Sequence, residues 1–139
     1  MNRINEMIER LCPDGVEYKS LCDFCERTDN VKWNKTNGEC YDYIDLTSVD
    51  IHSRRIVDTK TISEDNAPSR AQQIVKEGDI LFATTRPTQM RVCLVPAAFD
   101  NQICSTGFCI LRPRSGINHS FLMHYLGTER FRSYLEDNQ

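Results

Sequence analysis

The sequence predicts an α+β domain: a twisted mixed or antiparallel β-sheet with an N-terminal helix before it and C-terminal helices after it. Three observations carry this expectation. Apolar residues recur at helical spacing at both ends of the chain, they alternate with a period of two from Cys40 to Arg112, and no strand–helix alternation of the doubly wound kind breaks that middle. A length of 139 residues fits a single domain, 1–139, or a piece of a larger protein. With 40% hydrophobic and 27% charged residues, the chain can form a true core.

The first element is amphipathic: Ile4, Met7, Ile8 and Leu11 share one helical face, and Cys12-Pro13-Asp14-Gly15 ends it. Val16–Lys19 is extended and Ser20–Cys25 reads as one or two capped helical turns. A polar loop, Thr28–Glu39, holds the only Trp (Trp33) and closes on Asn37-Gly38, a strong turn signal. Cys40–Leu46 is a strand followed by a turn at Thr47–Asp50, with weaker strands at Arg55–Val57 and Gln73–Val75. Ile80-Leu81-Phe82-Ala83-Thr84 is an apolar run of strand length, the expected central buried strand. Arg91–Val95 and Phe108–Leu111 complete the sheet, and Cys104 and Cys109 fall within an apparent hairpin. Asn118 caps a helix over His119–Leu126, Gly127 breaks it, and Thr128 caps a second helix with Phe131, Tyr134 and Leu135 on one face.

Charge is unevenly distributed. The net charge of −3 argues against indiscriminate coating of nucleic acid, but residues 51–114 hold 9 basic and 6 acidic side chains between acidic flanks. That island is mostly Arg, whose planar fork suits phosphates and guanine edges; an ordinary solvated surface competes as an explanation. No apolar run approaches the ~20 residues of a membrane span. Met1–Glu6 is not followed by the apolar stretch of a secretion signal, so the expectation is a cytoplasmic protein with no membrane partner.

Seven cysteines include the pair Cys22-Asp23-Phe24-Cys25, which brings zinc and redox chemistry into consideration. No second ligand pair stands at short spacing and no βαβ pattern surrounds the motif, so thiols largely buried in the core are the simpler reading and no metal or cofactor is expected. Phosphate-binding Gly-rich loops, HExxH and GxSxG are all absent, as is the Pro-Pro-aromatic segment with which a base-amino methyltransferase holds its target. His52, His119 and His124 have no Ser or Cys partner in local pattern, so no enzyme is expected.

Several short segments stand in a specific order: Leu11-Cys12-Pro13-Asp14-Gly15-Val16, Tyr43-Ile44-Asp45-Leu46, Ala67-Pro68-Ser69-Arg70-Ala71, Gly78–Pro87 and Ser105-Thr106-Gly107-Phe108. In this order, over nearly the whole chain, they resemble the target recognition domain of the specificity subunit of type I restriction-modification systems. The resemblance implies a non-catalytic DNA-binding subunit that reads one half of a bipartite target. Its implied partners are double-stranded DNA, the modification (methyltransferase) and restriction subunits, and a second recognition domain or a homodimer mate. It also implies that the chain ends before the Pro-rich segment and helical spacer that follow a recognition domain, as a truncated product or an excised domain.

Candidate DNA-binding residues follow from chemistry as well as position. Thr84–Arg91 joins two strands through a polar loop without acidic residues, offering Thr85, Arg86, Gln89 and Arg91 to base edges and phosphates; a plain turn fixed by Pro87 is the competing reading. Ser69, Arg70, Arg54 and Arg55 are further candidates, with surface solvation an equal competitor. Lys32 and Lys35 flank Trp33, which serves equally as a plug over the sheet. Ser105 and Thr106 present hydroxyls to phosphate, or Gly107 only marks a strand entry. Two other classes stay open: a protein-interaction module occupying a partner surface without DNA, and a small metal or redox protein using Cys22, Cys25, Cys104 and Cys109.

Overall fold

The computed structural model describes residues 25–115 and 118–137. Among these residues eight strands form: β1 (Cys25–Glu26), β2 (Tyr41–Ile44), β3 (Lys60–Ile62), β4 (Ala71–Ile74), β5 (Ile80–Ala83), β6 (Val92–Leu94), β7 (Ile103–Ser105) and β8 (Phe108–Pro113). Helices α1 (His119–Leu126) and α2 (Glu129–Asp137) follow. The strands make two four-stranded sheets, β1-β8-β5-β6 and β3-β2-β7-β4. All pairings in the first are antiparallel, whereas β2 and β7 run parallel inside the second.

The layers follow from which side chains β5 sends to each face. Leu81 and Ala83 join Ile44, Val49, Val75, Cys104, Phe108 and Ile110 between the sheets. Ile80 and Phe82 point the other way, to Leu122 and Leu126 of α1 and Phe131 of α2. Every residue of β5 is buried, which accounts for its unbroken apolar run where a one-sided strand would alternate. The outer face of the second sheet carries Tyr43, Ile62, Ala71 and Ile103, covered in part by Trp33. Trp33 thus packs against the sheet; its ring stands edge-on to Tyr41 at 5.8 Å and its Nε1 donates to the Ala71 carbonyl at 2.9 Å.

The C-terminal helices form as expected. Asn118 Oδ1 accepts from the Phe121 N–H and Thr128 Oγ1 from the Phe131 N–H, at 2.9 and 3.3 Å, satisfying donors that a helix start leaves unpaired. The expected N-terminal helix, and most of Ser20–Cys25, lie outside the described residues. Cys25 itself is strand, paired with Pro113, so the helical expectation fails at that residue.

Three other expectations need correction. Arg55–Val57 makes only an isolated bridge, Val49 to Ile56, because the Asp50–Arg55 turn folds it back on the short stretch Ser48–Asp50; the strand forms later, at Lys60–Ile62. Cys104 and Cys109 do not share a hairpin. Strands β7 and β8 leave their tight turn into different sheets, since Ile103 faces outward beside Tyr43 while Phe108 and Ile110 fill the space between the sheets. Nor, among the described residues, are the thiols mostly buried: Cys93 and Cys104 are, but Cys25 is half-buried and Cys40 and Cys109 are exposed. Burial pushes the Cys93 thiol up to about 12 and the Cys104 thiol further.

Candidate nucleic-acid interface

At the end of β5 where Ala83 gives way to Thr84, four segments meet. Thr84 donates its N–H and its hydroxyl to the Gly107 carbonyl, at 2.9 and 3.0 Å, joining the β5–β6 loop to the β7–β8 turn. A Cβ on Gly107 would stand 3.3 Å from Leu46, so this turn sits directly against the segment that follows β2. The Arg91 guanidinium donates through Nη1 to the Leu46 and Val49 carbonyls at 2.9 and 2.6 Å, tying the same segment to the loop's far end. The Arg70 carbonyl accepts from the Thr106 N–H at 2.9 Å, which brings in the stretch before β4.

The β5–β6 loop has a fixed shape. Arg86 and Met90 both adopt left-handed backbone, φ 51° and 56°, on either side of a single 3-10 turn at Pro87–Gln89. Non-glycine residues seldom hold that conformation, and here two do so in one loop next to a candidate binding residue. Thr85, Arg86 and Gln89 are exposed on it.

The expected site residues divide accordingly. Thr85, Arg86, Gln89, Ser69, Arg70 and Thr106 come together as exposed groups around this end of the sheets. Lys32 and Lys35 are exposed beside them, on a segment held to β4 by Trp33 and by the Val31 N–H on the Gln72 carbonyl. Ser105 is excluded as a phosphate contact: it is 0% exposed, its hydroxyl accepts from the Gly107 N–H at 3.0 Å and it hydrogen-bonds Tyr43. Arg91, expected to face base edges and phosphates, instead donates to two backbone carbonyls. The Arg54 guanidinium rests on the α1–α2 junction, where a Cβ on Gly127 would lie 2.7 Å from it; Arg55 stays exposed on the neighbouring turn.

Sequence reasoning missed a second feature of the same surface. Tyr43, Ser48, Asp45, Asp58, Lys60, Asn66, Ser69 and Arg70 line an open depression on the second sheet. Burial holds the Tyr43 hydroxyl above its ordinary range, against the opposing effects of the Ser105 hydrogen bond and the Arg70 charge. The available signal was Asp58-Thr59-Lys60-Thr61-Ile62, polar but rich in β-branched residues, as an edge strand can be. Among the described residues no group of His, Cys, Asp and Glu is placed to hold a metal ion, and no helix is long and apolar enough to cross a membrane.

No family model matches the chain. Over 72 residues it is 28% identical to the type I restriction enzyme HindI specificity subunit of Haemophilus influenzae, a stretch amounting to 52% of this chain and 16% of that protein. The HsdS subunit from Thermoanaerobacter tengcongensis superposes with a TM-score of 0.74 at 37% identity, over 79% of this chain and 28% of that one. A chain from a structure of the type I R-M system, solved to explain complex assembly and conformational transition, gives a TM-score of 0.82 at 33% identity, over 88% and 32%. The chain thus spans less than a third of the length of each of these relatives. Motif order, a two-sheet fold closed by two helices, and likeness in both sequence and structure agree: the chain is similar to a recognition domain of type I restriction-modification specificity subunits.

Proposed function

We propose that this domain binds duplex DNA sequence-specifically, reads one half of a bipartite target and directs the modification and restriction subunits of a type I system to it, itself catalysing nothing. The observation that carries this reading is the meeting of the acid-free Thr84–Arg91 loop with Ser69–Arg70 and Thr106 at one end of the sheets. Exposed Arg, Gln and Thr groups on a backbone locked from below can hold fixed positions against base edges and phosphates. With a net charge of −3, the chain offers little non-specific attraction to DNA, so tight binding depends on the assembled complex.

Selection from randomised duplexes, with and without a cognate modification subunit, tests this. A preferred half-site is expected in the complex; no preference under either condition would refute the proposal. Arg86→Ala separates roles: loss of discrimination at one position, worth ~1–3 kcal/mol, marks a base contact, whereas uniform weakening with a salt slope shallower by about one marks a phosphate contact.

A second reading, a protein-interaction module without DNA binding, draws on one observation. Phe121 is 70% exposed and Tyr125 36% on the outer side of α1. That reading predicts partner binding insensitive to added duplex.

A further inference from the structure

The depression on the second sheet has walls of opposite charge that do not neutralise one another. Asp58, Lys60 and Arg70 line it, and among the described residues no hydrogen bond or ion pair joins the side chain of any of them to another residue. Elsewhere the protein pairs such groups, as with Asp79 and Arg112 at 2.8 Å. Asp45, the other carboxylate here, is occupied by the Leu46 N–H and the turn after β2. One acceptor and two cationic donors are therefore left for a ligand.

The placement narrows what that ligand is. Among the described residues strand β3 is the edge of its four-stranded sheet, with Lys60 exposed opposite Tyr43 of β2, and the depression shares Ser69 and Arg70 with the candidate interface. A carboxylate facing the major groove is repelled by every phosphate and finds donors only on base edges, the amino groups of cytosine and adenine. A guanidinium within the same depression addresses guanine O6 and N7. The base pair that offers a donor to one and two acceptors to the other is C·G.

Resting on the DNA-reading function above, we propose that this depression reads a C·G pair, Asp58 accepting from the cytosine amino group and Arg70 donating to guanine, with Lys60 holding a neighbouring phosphate. The test is selection of randomised duplexes by the full chain in complex with its modification subunit, comparing wild type with Asp58→Ala, Arg70→Ala and Lys60→Ala. Since none of these side chains bonds to a described residue, unfolding midpoints should match wild type, which circular dichroism checks in each sample. The expected result is a C·G preference at one position that falls about tenfold in both Asp58→Ala and Arg70→Ala, other positions being unchanged. Lys60→Ala should weaken all sequences alike. A selective wild type whose Asp58 and Arg70 variants keep every preference, or lose affinity uniformly, overturns this inference while leaving the DNA-reading function standing. A wild type with no preference at all overturns both.

Discussion

Asp79 is 1% exposed and accepts from Arg112 Nε and Nη2 at 2.8 and 2.9 Å and from the Lys76 N–H at 2.8 Å. A carboxylate so deep is tolerated because its oxygens are all engaged. Removing one partner leaves the other charge stranded, so Asp79→Ala should cost ~3–5 kcal/mol, read from urea unfolding. The buried thiols yield a pH prediction. An unfolded cysteine ionises near 9.0 and Cys93 in the fold only near 12, so the native state keeps a proton that the unfolded state has lost. Stability from this group is whole below pH 9 and declines as pH rises toward 12, which unfolding series at several alkaline pH values would record. Near pH 8, mass spectrometry of alkylated protein should find Cys40 labelled in the native state, and Cys93 and Cys104 only after denaturation.

Among the elements, the turn before β5 is the most constrained. Gly78 has φ +88°, and a Cβ there would stand 3.0 Å from the His119 ring, whose Nδ1 lies 2.6 Å from the Gly78 carbonyl. Gly78→Ala should therefore destabilise by roughly 1–2 kcal/mol through backbone strain and displacement of α1, and differential scanning calorimetry would show the lowered Tm. Asn118→Ala removes only a cap and should cost about 1 kcal/mol. The elements also show what sequence makes legible. Asn118, Gly127 and Thr128 are local signals whose partners lie within three residues, so both helices could be placed from the sequence. The apolar run Ile80–Ala83 identified the central strand because burial on both faces needs no knowledge of which neighbours supply it. By contrast, Lys60–Ile62 is a short edge strand whose only partner among the described residues, β2, lies across a long loop, and nothing near it in sequence encodes that pairing. Arg91 looked available as a DNA contact for the same reason: the carbonyls it holds belong to Leu46 and Val49.

For the whole molecule, the basic middle of the chain is not one surface. Arg112 is consumed by Asp79, Arg91 by backbone carbonyls and Arg54 by the helix junction, while Arg70 and Arg86 remain exposed at the candidate interface. Counting charge along the sequence could not separate these roles, since each depends on a contact from a distant segment. A functional consequence can be measured. With so few exposed cations at the interface, the salt dependence of duplex binding by the isolated chain should be shallow, a few phosphates' worth, and should steepen once the modification subunit is added. Titrations of binding against salt, with and without that subunit, would give both slopes.

Strand β5 has the Asp79–Arg112 pair at its start and the candidate reading loop at its end, roughly 13 Å apart for four strand residues. The buried ion pair and the loop proposed to select the target thus stand at opposite ends of one strand. Under the proposed function, substitutions at Arg86, Gln89 or Thr106 change the reading residues while leaving that anchor untouched, so their effects on target choice and on the anchor's share of stability should be separable.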